Sequence, residues 1–110
     1  MNTLSMYARV FDSSCMSWEK DRCWNMLYLK ATQNYFNDVL KARGYVFLRD
    51  IYEHLGIPVT KASLAVGWVY DLKNSFADNF IDFSLEPTDE GSDIQMDFNV
   101  DGDITKYFKD

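Results

Sequence analysis

An α+β fold, with helices early and strands late, is what this sequence predicts. Three observations carry it. A long stretch without Pro or Gly, from about Asp21 to Arg43, places apolar residues at steps of three and four. Aromatic and β-branched segments follow it. Near the C-terminus, Ile94, Met96, Phe98 and Val100 alternate strictly with Gln95, Asp97 and Asn99. Helices followed by a run of strands imply an antiparallel meander of about three strands, with the long helix covering one face.

Residues 6–11 fit a short strand or an extended arm, and residues 12–20 are turn-like. In the long helix, Trp24, Leu27, Ala31, Tyr35 and Val39 form the expected apolar stripe, widened by Leu29, Phe36 and Leu40. Asp21 is the expected N-cap and Gly44 the residue past the C-terminus. Tyr45 to Leu48 is short and β-prone. Leu48, Ile51, Tyr52 and Leu55 then repeat as on a two-turn helix, which Gly56 and Pro58 stop. Thr60 can cap a brief helix through Ala65. Gly67 to Tyr70 reads as a strand and 74–79 as a loop. Residues 80–86 alternate imperfectly, and 87–92 are rich in Pro, Gly and acids. Asp101-Gly102 signals a tight turn after the 94–100 strand. Ile104, Tyr107 and Phe108 can dock the tail.

The 110 residues suit one domain, with 1–5 and 106–110 expected to fray. With 47% hydrophobic residues the chain can build a core, which excludes a disordered segment. The net charge of -6 is concentrated: residues 1–75 carry +2 and residues 76–110 carry -8. Such a field repels nucleic acid and attracts basic surfaces. Glu86, Asp89, Glu90 and Asp93 are therefore the candidate acidic interaction surface; a solvated, solubilising face is the plainer alternative. Cys15 and Cys23 do not form a CxxC motif and read as reduced thiols, Cys23 at a core-like helix position. No run reaches the about 18 apolar residues of a membrane span and no signal peptide is visible. A cytoplasmic protein is expected.

Catalytic chemistry finds little to use. His54 is the only histidine, off the apolar stripe of its helix, so a His-based triad or multi-His metal site is excluded within one chain. No phosphate loop, nucleophile elbow or paired-carboxylate motif is present. Asp97, Asn99, Asp101 and Asp103 match the start of a calcium loop with Gly102 at the sixth position. The twelfth position is Phe108, where a bidentate Glu is required, so a strand ending in a turn is the stronger reading and no cofactor is expected. Leu48 to Tyr70 can be drawn as helix-turn-helix, with Lys61 opening the recognition helix. That helix offers too few Lys and Arg to neutralise phosphates, so direct nucleic-acid binding is disfavoured. Trp18, Trp24 and Trp68 are core candidates; any one left exposed would be a natural interface hot spot.

A family resemblance rests on Tyr7-Ala8-Arg9-Val10-Phe11-Asp12, Trp18 with Lys20-Asp21, and Asn25-Met26-Leu27-Tyr28-Leu29-Lys30. Gly44-Tyr45-Val46-Phe47-Leu48, Leu55-Gly56-Ile57-Pro58, Val66-Gly67-Trp68-Val69-Tyr70-Asp71, Asp78-Asn79-Phe80-Ile81-Asp82-Phe83 and Asp97-Phe98-Asn99-Val100-Asp101-Gly102 extend it. Over about residues 7–104 the chain resembles an uncharacterised domain family of phages and prophages of Gram-positive bacteria, a domain of unknown function. The resemblance implies no activity and no site residues. Longer members look as if they carry an upstream apolar segment, which is not in this sequence. The function expected is a non-catalytic phage-encoded protein-binding module, acting on a host or phage protein. One form is an acidic inhibitor of a host nucleic-acid-handling or defence machine, in the manner of an anti-CRISPR protein. The alternatives are a virion or assembly component, for which a homo-oligomer is expected, and a winged-helix-like DNA-binding regulator.

Overall fold

The computed structural model describes residues 4–73, 77–88 and 91–108. Its elements run β1 (Arg9–Phe11), α1 (Arg22–Arg43), β2 (Tyr45–Phe47), α2 (Leu48–Leu55), a 3-10 turn (Ala62–Leu64), β3 (Val66–Val69), β4 (Glu86–Pro87), β5 (Ile94–Met96), β6 (Gly102–Asp103) and a second 3-10 turn (Thr105–Phe108). The architecture is α+β, with the long helix packed on antiparallel strands. The strands form two three-stranded sheets, ordered β1-β5-β4 and β2-β3-β6, rather than one meander.

Local chemistry explains the helix boundaries. The Asp21 carboxylate accepts the Trp24 N–H at 3.1 Å, capping α1 at its N-terminus. Gly44 ends it with a φ of 92°, donating its N–H to the Leu40 carbonyl at 2.8 Å. β2 follows at once, and Asp50 starts α2 by accepting the Phe47 N–H at 3.1 Å. Arg43 holds that same carboxylate at 3.0 Å, so the end of α1 fixes the start of α2. Thr60 and Ser63 exchange hydrogen bonds around the 3-10 turn, as an N-cap would.

Two strand expectations change. Residues 80–86 are not a ladder strand: Ser84 has a φ of 49°, which breaks the extended run, and only Glu86–Pro87 pairs with β5. Residues 94–100 keep their alternation of burial but not their ladder. β5 stops at Met96, and the chain then crosses from the first sheet to the second. Asp97 and Asn99 donate their N–H groups to the Phe83 and Asp82 carbonyls on the way, and Asp101 donates to Gly67 at 2.8 Å. Asp101-Gly102 is consequently not a hairpin turn; Gly102 lies in β6, opposite Gly67.

One buried cluster joins both sheets, α1 and α2 through Phe11, Leu29, Leu40, Tyr52, Trp68 and Phe83 among others. Of the tails, Ser5 bonds the Asp97 carboxylate, and Phe108 packs its ring 4.8 Å from that of Tyr45.

Candidate functional site

The long helix divides its faces in an unexpected way. Its fully buried positions are Asn25, Leu29, Thr32, Phe36 and Leu40. Leu29, Phe36 and Leu40 were the expected flank of the stripe, and they are its true centre. Most of the expected centre points outward instead: Trp24 is 42% exposed, Leu27 66% and Tyr35 55%, with Ala31 also exposed. Cys23 is likewise exposed rather than in the core, while Cys15 is buried. Both thiols are free. Trp68 is fully buried and Trp18 packs partly against the core, so Trp24 is the exposed tryptophan of the three.

Polar side chains cause this rotation. Asn25 is fully buried, and its amide bonds the Glu19 N–H and carbonyl and the Ser92 carbonyl. Asn37 treats Ile81 as a strand neighbour would, donating to its carbonyl at 2.9 Å and accepting its N–H at 2.7 Å. Gln33 accepts the Phe83 N–H at 2.8 Å. The inner face of α1 thereby supplies the hydrogen bonds that segment 81–83 lacks from a sheet. A helix turned to offer Asn25, Gln33 and Asn37 inward must turn Trp24, Leu27 and Tyr35 outward.

That outer face is pre-ordered. Trp24 stacks on Tyr28 at 5.2 Å with planes 6° apart, and Tyr28 stacks on Phe11 of β1 at 5.8 Å. Tyr35 stacks on His54 at 5.9 Å, and His54 meets Phe36 edge-on. The histidine is thus an exposed aromatic prop near the end of α2.

Glu86 is exposed on β4 and Asp93 is half-buried beyond the loop; Asp89 and Glu90 lie outside the described residues. The flanks of that loop are tied to α1, because Arg22 donates to the Thr88 carbonyl at 3.1 Å and the Gly91 carbonyl at 2.7 Å.

The oxygen groups of the calcium-like segment also have separate duties. Asp97 bonds Ser5, and Asp103 bonds Thr105. Asn99 accepts from the Trp68 indole and the Asp82 N–H and donates to Asp78 and the Phe80 carbonyl. Asp101 accepts the Val69 N–H at 3.0 Å. Burial pushes the Asp101 carboxyl above the usual carboxylate range, against the opposing pull of the backbone N–H groups it accepts. Among the described residues no three His, Cys, Asp or Glu side chains converge as metal ligands. A surface cleft of about 320 Å³ lies between Asp101, Asp103, Lys106 and Tyr107.

The helix-turn-helix drawing loses its second helix. After α2 the chain makes only the three-residue turn Ala62–Leu64, with Ser63 buried, and enters β3. Among the described residues no helix is long and apolar enough to cross a membrane.

No curated protein and no solved structure matches this chain. A family of unknown function, DUF6353, matches residues 1–108. That match takes in β1, both faces of α1 and every other element described above, and the chain belongs to this family.

Proposed function

We propose that this chain is a non-catalytic protein-binding module whose contact surface is the outer face of α1. The observation that carries the reading is the row Trp24, Leu27, Ala31 and Tyr35, apolar and exposed on a helix whose other face is anchored. Rigid aromatics with an apolar body lose little entropy on contact, and Trp and Tyr are the usual anchors of protein interfaces. Leu27, 66% exposed, would gain about 1–2 kcal/mol if fully covered, and the half-covered rings of Trp24 and Tyr35 would gain in proportion to the area still open. The stacked pairs Trp24–Tyr28 and Tyr35–His54 hold the rings in place before any partner arrives. In the phage and prophage setting that the sequence resemblance implies, the partner would be a host or phage protein.

The second reading is an acidic inhibitor of a machine with a basic channel. It is favoured by the exposed Glu86 and by the Arg22 clasp, which ties the flanks of the acidic loop to the helix. Its weakness is that Asp82, Asp97, Asp101 and Asp103 are spent as acceptors for nearby backbone groups.

One experiment separates the two. The tagged chain, Leu27→Glu and the pair Glu86→Lys/Asp93→Lys are used to capture partners from the source cell at low and high salt. Salt-resistant capture lost only in Leu27→Glu is the expected result. Salt-sensitive capture lost only in the lysine pair would replace the helix-face reading with the acidic one.

A further inference from the structure

We propose that the Arg43–Asp50 pair is an autoinhibitory cap on the outer edge of β2, and that it keeps a second copy of this chain from adding its own β2 there. β2 is an end strand of the sheet ordered β2-β3-β6. It pairs with β3 in the register Tyr45↔Val69, Val46↔Trp68 and Phe47↔Gly67, and Tyr70 donates its N–H to the Gly44 carbonyl at 2.9 Å. Backbone groups alternate sides along an antiparallel strand, so Gly44 and Val46 face β3 while Tyr45 and Phe47 face away from it. Such an edge is a template for pairing with another chain. Here two side chains occupy it. The Arg43 Nε donates to the Tyr45 carbonyl at 3.0 Å, and the Asp50 carboxylate accepts the Phe47 N–H at 3.1 Å. A 3.0 Å bond from Arg43 to the same Asp50 oxygen joins the two into one unit. The Arg43 guanidinium also lies over the Tyr45 ring, 4.4 Å from its centre, which holds it at the edge.

The groups that are covered identify the strand that is excluded. They are one acceptor and one donor, two residues apart. In an antiparallel two-fold pair centred on Val46, the Phe47 N–H of each copy would meet the Tyr45 carbonyl of the other, once on either side of the axis. The uncovered edge therefore complements itself, and the cap withholds both of these hydrogen bonds at once. In the same register Tyr45 and Phe47 become cross-strand neighbours on one face, an aromatic pairing that stabilises sheets. Tyr-Val-Phe is also strongly β-prone, so an open edge of this composition invites extension. Asp50 serves the first turn of α2 as well, which leaves Arg43 as the half of the cap that can be removed without disturbing a helix start.

Sedimentation equilibrium of the full chain from micromolar to millimolar concentration tests this on the wild type, Arg43→Ala and Arg49→Ala. Arg49 is the charge-matched control: it lies 3.9 Å from Asp50 and over the Phe47 ring, with no hydrogen bond to β2 among the described residues. Arg43→Ala is expected to self-associate at least ten times more tightly than the wild type, with an unchanged far-ultraviolet spectrum, and Arg49→Ala to match the wild type. Arg43→Met, which keeps an apolar stem on the Tyr45 ring and deletes every donor, is expected to behave as Arg43→Ala and serves if alanine disturbs the end of α1. Phe47 has a φ of -88°, close to the range of proline, and its N–H goes to Asp50 rather than to β3. Adding Phe47→Pro to Arg43→Ala therefore removes the edge donor, spares the ladder with β3, and is expected to abolish the gained association. Folded Arg43→Ala and Arg43→Met chains that associate no more tightly than the wild type overturn the cap, as does an Arg49→Ala chain that associates equally. Association that survives Phe47→Pro overturns the β2 edge as its route.

Discussion

At the scale of single residues, amides and carboxylates hold this fold where strands do not. Asn37 pairs with both backbone groups of Ile81, and Asn25 joins two loops to the first turn of α1. Asp101 is the case with a pH signature. Its residue is exposed as a whole, yet its carboxylate reaches the N–H of the buried Val69, where β6 supplies no backbone acceptor. Burial raises its pKa in the folded chain above the unfolded value. The unfolded state therefore gives up the proton more readily, and ionisation of this group favours unfolding. Its contribution is unfavourable at neutral pH and fades as pH falls through the folded pKa. Asp101→Asn keeps an acceptor for Val69 and cannot ionise, so it is expected to flatten that part of the stability profile. Asp101→Ala leaves the Val69 N–H unpaired and is expected to cost about 1–3 kcal/mol at all pH values. Urea unfolding of the three proteins at neutral and mildly acidic pH distinguishes these outcomes; an unchanged pH slope in Asp101→Asn would remove Asp101 from the account.

At the scale of elements, the closest constraint is the contact of β2 with β3. A Cβ placed on Gly67 would lie 2.1 Å from the Val46 carbonyl oxygen and 2.8 Å from the Phe47 Cα, both backbone atoms that cannot rotate away. Gly67→Ala must therefore push the two strands apart, and a loss of about 3 kcal/mol or more is expected, at the upper end of overpacking costs. Gly44 shows the contrast: it has a φ of 92° but open space around its missing Cβ, so Gly44→Ala is expected to cost only about 1 kcal/mol. Thermal unfolding that ranks the two the other way would refute the close-approach argument. How far these elements were legible in the sequence follows the same division between local and distant causes. The caps of α1 at Asp21 and Gly44 depend on neighbours in sequence and fall where expected, the strand expected at Gly67 to Tyr70 lies one residue earlier at Val66–Val69, and the helix expected from Thr60 through Ala65 shrinks to the 3-10 turn Ala62–Leu64. The azimuth of α1 depends on Ile81, Phe83 and Ser92, far along the chain, which no local periodicity registers. By hydrophobicity alone Trp24, Leu27 and Tyr35 outrank Asn25 and Asn37, so the stripe is read about a third of a turn away from the true inner face. That misplacement is the sequence counterpart of the exposed Trp24, Leu27 and Tyr35, the face proposed above for protein contact. The calcium-like segment misleads for a similar reason, since its oxygens sit at ligand spacing but each is drawn off by a different backbone or side-chain donor.

At the scale of the whole molecule, two small sheets of two- to four-residue strands must be kept in one relation to the helix. Strands that short give little ladder energy, so the crossing segment 97–101 has to couple them. Asn99 is its centre. Its side chain accepts from the Trp68 indole of the second sheet and from the Asp82 N–H, and it donates to Asp78 and to the Phe80 carbonyl. Removing it strips a partner from the Asp82 N–H, the Asp78 carboxylate and the Phe80 carbonyl at once, and leaves the indole of the fully buried Trp68 with the Asn99 backbone carbonyl alone. Asn99→Ala is therefore expected to cost about 3 kcal/mol or more, built from unpaired groups at about 1–3 kcal/mol each, and to lower Tm by on the order of 10 °C in a chain of this size. Asn99→Asp keeps the two acceptor roles but loses the donors and sets a second carboxylate against Asp78. It is expected to be destabilised at neutral pH and to recover partly as the pH is lowered and the repulsion is neutralised. If Asn99 couples the sheets, then in a Trp18→Phe/Trp24→Phe background, where Trp68 is the one remaining indole, the fluorescence change and the far-ultraviolet loss stay coincident with Asn99 present and separate in Asn99→Ala, with the tryptophan environment loosening first. Coincident transitions in the variant would mean that the continuous core, not this amide, holds the two sheets together.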